Sequence, residues 1–379
     1  MPLPLSHPLS RRECLIHGVQ AFGLMALASR PIVSLAAEGA TAADLTAKGI
    51  DFLRPRQAEN GSWSGDRKEP GITALVVSAL LRTKRVTPAE PVITKALTFL
   101  EGFLGPKGGL SEAAHSNYST SIAIMAFQEA NQGGRYDAII KGGQEFLKAM
   151  QWDASEGKGP DDAFYGGAGY GGKNNRPDLS NTAFMMEALH DTGLPADDPA
   201  LQRALIFVSR CQNLKSEFND QPWADKVNDG GFIYTAANGG SSVAGNTENG
   251  GLRSYSAMTY AGLKSMIYAG LTADDPRVKA ANAYITKHYS LDENPGLGQK
   301  GLFYYYQTFA KTMALLGKPT VVDGSGKSHD WRAELTAALA KRQEANGSWT
   351  NPADSFMEGD PNLVTAYALL ALAYAQPKG

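Results

Sequence analysis

The chain has 379 residues, room for one large domain or two ordinary ones, and its 36 Lys and Arg nearly cancel 38 Asp and Glu to a formal charge of −2. No basic stripe stands out, which argues against nucleic acid as a partner. Beyond the N-terminus no apolar run is long enough to span a membrane.

The N-terminus differs from the rest. Ser10-Arg11-Arg12-Glu13-Cys14-Leu15-Ile16 pairs two arginines before apolar residues, a moderately apolar stretch runs from Gly18 to Ala28, and Ser34-Leu35-Ala36 offers small residues for cleavage. This layout predicts a Tat-type signal over residues 1–37 and an exported, periplasmic or otherwise extracytoplasmic body over 38–379. Cys14 falls inside the signal. Cys211 is then the only thiol, so no internal disulfide forms, and its place at the end of a helical stretch, Phe207 to Gln212, predicts a buried, inert side chain.

Along the body a pattern repeats six times. A helical stretch ends in a Gly-rich turn, and a second helix opens on a Thr: Thr73, Thr120, Thr182, Thr259, Thr308 and Thr365. The first helices, read from apolar spacing, run 43–57, 90–104, 136–150, 199–212, 276–289 and 330–343. Two of them open on Asp-Asp-Pro (Asp197-Asp198-Pro199 and Asp274-Asp275-Pro276), an N-cap followed by Pro in the first turn. The second helices are richer in Ala and apolar on more than one side, which predicts burial on both sides. The fold expected is all-α: six helical hairpins closing into an (α/α)6 ring, amphipathic helices outside and apolar helices inside. The links from outer to inner helix all lie at one end of such a ring. Two are very long, 153–177 and 213–253, and they mark that end as the binding face.

Two of the turns read Gln-x-x-x-Gly-x-Trp: Gln57 to Trp63 and Gln343 to Trp349. They resemble the QW motif of squalene–hopene and oxidosqualene cyclases. The Gly-Gly-Phe turn at Gly230-Gly231-Phe232, with the Thr259-Tyr260-Ala261 helix after it, also resembles the β-subunits of protein prenyltransferases. The resemblance covers essentially the whole body and implies an α/α toroid with an apolar central cavity. Class II terpene cyclases carry Asp-x-Asp-Asp before the Thr of an inner helix. The match here is Asp178-Leu179-Ser180-Asn181, with Ser180 where the proton donor belongs. A hydroxyl is too weak an acid to protonate an alkene. The zinc-binding Asp, Cys and His of the prenyltransferases align with Tyr304, Tyr306 and Val364, so the resemblance implies neither a metal site nor another cofactor.

The candidate catalytic residues are therefore Asp178 and Asn181, although a carboxylate there also caps a helix. The candidate ligand-binding residues are Tyr170, Arg253, Tyr255, Tyr304 and Tyr306. Consecutive residues on a helix point about 100° apart, so of Tyr304, Tyr305 and Tyr306 only one or two face a cavity. Arg176, Arg253 and Lys173 are candidates for holding an anionic head group. An aromatic wall with polar tips suits an isoprenoid or a sugar equally. Three readings stay open: a toroid that binds or processes a small apolar or isoprenoid ligand, a carbohydrate-active (α/α)6 enzyme using paired loop acids among Asp161, Asp162, Asp220, Asp225, Asp229 and Glu248, and a non-catalytic scaffold.

Overall fold

The structure, a computed structural model, describes residues 40–65, 69–171 and 176–376. The segment read as an export signal and Lys173 lie outside them. Every described element belongs to one compact unit, Gly39–Gly379.

Among the described residues there are twelve α-helices: α1 (Ala42–Leu53), α2 (Pro70–Arg82), α3 (Pro91–Glu101), α4 (Ser116–Ala130), α5 (Asp137–Ala149), α6 (Leu179–Asp191), α7 (Pro199–Arg210), α8 (Ser256–Tyr268), α9 (Pro276–Lys287), α10 (Leu302–Leu316), α11 (Trp331–Ala340) and α12 (Pro361–Ala375). The even-numbered helices pack in the order α2, α4, α6, α8, α10 and α12, and α12 returns to α2. They form a closed inner ring, and the odd-numbered helices pack outside it. A two-residue ribbon, β1 (Val321–Val322) against β2 (Ser328–His329), decorates the link before α11.

Burial follows the sequence pattern. Outer helix α5 buries one stripe, Ile140, Gly143, Phe146 and Leu147, whereas inner helix α12 buries almost every residue from Asn362 to Leu372. Each large aliphatic side chain taken from water contributes about 1.5–3 kcal/mol, and for the inner helices that gain comes from both sides. Asp198 and Asp275 cap α7 and α9 as their Asp-Asp-Pro openings predict. The first outer helix is shorter than its apolar pattern. Pro55 lacks an amide hydrogen and its ring crowds the carbonyl four residues back, so the α-helix stops at Leu53 and tightens into a single turn, Arg54–Arg56.

The hairpins are latched to one another by glutamines. Gln57 donates to Gly61 O (3.0 Å) and to Val92 O in the first turn of the next outer helix (2.7 Å). Gln343 donates to Gly347 O and to Leu45 O, both at 3.0 Å, which ties the last turn to the first helix and closes the ring. Gln151 and Gln212 make the same pair of bonds, to Gly166 and Ala200 and to Gly230 and Arg277. Trp63 and Trp349 donate their indole N–H to the ends of their own outer helices, at Leu53 O and Leu339 O. Glycine is required between Gln and Trp. Gly61 has φ +90° and a Cβ there would lie 2.4 Å from Lys95 O; Gly347 has φ +88° and its Cβ would lie 2.5 Å from Lys48 O.

The repeated Thr is part of the same joint. Thr73, Thr120, Thr182, Thr259 and Thr365 each accept the backbone N–H of a residue in the preceding turn: Trp63, Leu110, Ala168, Phe232 and Trp349. The fifth hairpin departs from this. Tyr306 takes the equivalent place and donates to Leu291 O at 2.5 Å, while Thr308 sits two residues further on. An alignment through Thr308 is therefore shifted by two residues.

Candidate functional site

The inner helices run parallel, so their N-termini share one end of the ring. There a cavity of about 330 Å³ opens. One register faces it: Gly71, Tyr118, Ser180, Ala257, Tyr304 and Leu363, each two residues before the repeated Thr or its replacement Tyr306. The two long links complete the wall, Tyr170 from the first and Tyr234 and Val243 from the second. They are fixed to the start of α6 and to each other. Asp178 N donates to Ala168 O, Leu179 N donates to Tyr234 O, and Thr235 Oγ1 donates to Pro177 O.

The cavity is aromatic. Tyr118, Phe184, Tyr304 and Tyr367 come from four different inner helices and meet edge to face or tilted, with centroids 5.3, 6.0 and 6.1 Å apart in that order. Burial pushes the Tyr118 phenol up to about 12 and holds those of Tyr304 and Tyr367 higher still, so all three stay protonated at neutral pH. Among the described residues no Lys or Arg lines the cavity. Glu69 and His115, hydrogen-bonded at 3.1 Å, stand on the rim. The mouth exposes apolar side chains: Tyr170, Val243, Phe356 and Met357 are each 41% exposed or more. Phe356 (φ +60°) and Met357 (φ +63°) hold left-handed backbone, a cost borne where both side chains face the opening.

Of the candidates read from the sequence, Tyr170, Tyr255 and Tyr304 line this cavity. Asp178 and Asn181 stand behind the wall. The Asp178 carboxylate caps α6 through Asn181 N (2.9 Å) and also accepts from Asn181 Nδ2 (2.8 Å). Its burial raises its pKa to about 6, against the hydrogen bonds from Asn181 and Tyr234, which favour the ionised form. Tyr306 and Arg253 lie apart from the cavity. Tyr306 is consumed by its bond to Leu291, and Arg253 is exposed, with Nε on Asn246 O at 3.1 Å. None of the loop acids lines the cavity. Cys211 is buried, as expected from its place at the end of a helix, and its thiol is pushed up by that burial. Among the described residues no three His, Cys, Asp and Glu side chains gather as metal ligands would.

Sequence reasoning missed Tyr118, Phe184, Tyr234 and Tyr367. The signal for Tyr118 was its place two residues before Thr120. Phe184 and Tyr367 lie two residues after their Thr. Glu358 was also missed. It is fully buried, accepts from Tyr304 N at 2.8 Å and from Asn351 Nδ2 at 2.6 Å, and caps the start of α10. Burial raises it to about 7 against those bonds.

Deeper along the ring the lining changes. On α6 the face Ser180, Phe184, Glu187 and Asp191 steps by four, three and four residues, passing from the cavity to the other end. Glu187 pairs with Lys264 of α8 and with Lys311 of α10 (3.1 Å), and Lys311 reaches Asp191 (2.6 Å). Arg82 of α2 joins Asp191 (3.1 Å) to Glu129 of α4 (3.0 Å). Burial opposes the charges of Glu187 and Asp191, but the facing lysines outweigh it and hold both below the usual carboxylate range.

No protein-family model matches the sequence, and no curated protein does. Solved structures do resemble it. The type II terpene cyclase MstE from Scytonema, without ligand, has a TM-score of 0.54 at 13% identity, over 88% of this chain and 97% of that one. A GH76 alpha-mannanase from Bacteroides thetaiotaomicron gives 0.54 at 14% identity, over 88% and 96%. Protein geranylgeranyltransferase-I from Candida albicans, in complex with GGPP, gives 0.50 at 14% identity, over 86% and 90%. The fold is an α/α toroid. At these identities the likeness reaches no further than the fold, and three different activities share it. No described helix of this toroid is long and apolar enough to cross a membrane.

Proposed function

We propose that this protein binds a small, uncharged apolar ligand of the isoprenoid or lipid class in the aromatic cavity of its ring, without cyclising it. The observation that carries the reading is the lining: four rings from four inner helices, further tyrosines from the long links, and no described Lys or Arg. Such a wall suits hydrocarbon and a hydroxyl tip, and it offers nothing to balance a diphosphate. The apolar rim at Tyr170, Val243, Phe356 and Met357 suits passage of the same kind of molecule.

Catalysis of the cyclase kind is disfavoured by chemistry. Ser180 faces the cavity where an acid is needed, and its hydroxyl is bonded to the phenol of Tyr304 at 3.1 Å. Asp178 is withdrawn behind Tyr170 and Tyr234, and a group near pH 6 is far too weak an acid for an alkene.

The test is mass spectrometry of small molecules extracted from the signal-free protein made in a host of its own kind. A single polyprenoid- or sterol-like species, near one per chain and lost in Tyr304→Ala, supports the reading. Background lipid far below one per chain would sink it. The twin-Arg segment supports export of the folded chain. N-terminal sequencing of protein recovered from outside the cytoplasm checks this, with a start near Ala37 or Glu38 expected.

A further inference from the structure

The C-terminal ends of α2, α4, α6, α10 and α12 surround a second cavity, about 490 Å³, at the end of the ring opposite the aromatic mouth. Unlike the aromatic cavity, it is lined in part by Lys and Arg. Arg82, Glu129, Asp191, Lys311, Gln128 and His190 all reach it. Fold stability does not account for this set. Arg82, Asp191 and Lys311 are largely buried, and burying such charges costs several kcal/mol each before pairing, where well-packed apolar residues commonly do as well. Nor does the pairing use up the groups. Arg82 engages both acids through one nitrogen, Nη2, and its Nε and Nη1 have no hydrogen bond among the described residues. Gln128 is exposed, so its side-chain amide is open to a ligand.

We propose that this lower cavity binds a small polyhydroxylated ligand of the saccharide class. Two cations, Arg82 and Lys311, face two carboxylates, Glu129 and Asp191, so the charged lining is neutral in sum and gives no net pull on an ion. What remains is a set of planar groups, a guanidinium, carboxylates and an amide, whose paired donors and acceptors match neighbouring hydroxyls. Leu315 and Met125 supply apolar surface for the C–H face of a ring, while the Tyr374 ring holds Arg82 (5.3 Å) and Lys311 (4.9 Å) against the wall. The site is independent of the aromatic cavity and of the function proposed for it.

The test is saturation-transfer NMR on the signal-free protein with mannose, glucose, galactose, N-acetylglucosamine, maltose and cellobiose, each added alone, and with glycine betaine as a zwitterion. At least one sugar is expected to show transfer, with affinity at least about tenfold weaker in Glu129→Gln and Gln128→Ala. Tyr304→Ala, in the other cavity, is expected to leave that affinity unchanged. Arg82→Gln breaks two ion pairs, so the two variants at exposed side chains carry the test if it does not fold. No transfer from any sugar overturns the proposal. So does transfer unchanged in Glu129→Gln and Gln128→Ala, or betaine binding without sugar binding.

Discussion

The Ser180 hydroxyl lies 3.1 Å from the phenol of Tyr304 and joins α6 to α10 across the ring, past the intervening α8. The bond places a neutral, hydrogen-bonded pair where the resemblance of Asp178-Leu179-Ser180-Asn181 to the cyclase motif would put an acid. It also fixes the tyrosine that contacts both Phe184 and Tyr367.

Tyr304 therefore separates two roles. Tyr304→Phe keeps the ring and loses one bond worth about 1 kcal/mol, so ligand retention is expected to survive. Tyr304→Ala removes a wall of the cavity, and retention is expected to fail. Mass spectrometry of extracts from both variants decides; equal loss in the two would assign the effect to the hydroxyl instead.

The bonds from Gln343 to Leu45 and Gly347 close the ring. Gln343→Ala leaves two backbone carbonyls without their donor and is expected to cost about 1–3 kcal/mol. Thermal unfolding followed by circular dichroism measures it. Gln57→Ala breaks the same joint between neighbouring hairpins, so a similar loss is expected. A much larger effect for Gln343 would show that closing the ring, beyond the bonds themselves, adds stability.

The buried charge network predicts non-additive behaviour. Lys264→Met leaves Glu187 to share Lys311 with Asp191, so one buried negative charge is stranded without its own cation, and the variant is expected to destabilise by up to about 3–5 kcal/mol. Adding Glu187→Leu removes the stranded charge, and although Lys311 then loses a partner it keeps Asp191. The double variant is expected to recover much of the loss in denaturant unfolding. Additive losses would rule out the coupling.

Glu358 makes stability depend on pH. Its folded value, about 7, lies above the ordinary 4.5, so the protonated form is favoured by folding. Its contribution is complete below about pH 4.5 and is lost as the pH rises through 7. At full ionisation the loss approaches about 3 kcal/mol. Glu358→Gln removes this dependence. The melting temperature of the wild type, minus that of the variant, is expected to fall between pH 5 and pH 8, and a flat difference would contradict the burial argument.

The ring itself was legible in the chain. Apolar spacing, the recurring Thr and the Gly-rich turns are local features, and each hairpin needs neighbours to cover its faces. Even the Gln-x-x-x-Gly-x-Trp turns at Gln57 and Gln343 carried their geometry, because a positive-φ glycine and two donors act within one joint. The site was legible only in part. Tyr170, Tyr255 and Tyr304 could be chosen, but Tyr306 could not be told from them, since which face of α10 meets the axis depends on a two-residue shift that only packing reveals, nor could Arg253, which sits on a link whose direction no periodicity gives. Tertiary structure alone decided the rest. It set Tyr118, Phe184, Tyr304 and Tyr367 together from four helices, withdrew Asp178 behind the wall, and brought Arg82 and Asp191, 109 residues apart, into one charge network. Periodicity fixes which face of a helix is buried. What that face meets, and whether it is hydrocarbon or charge, is settled only when the ring closes.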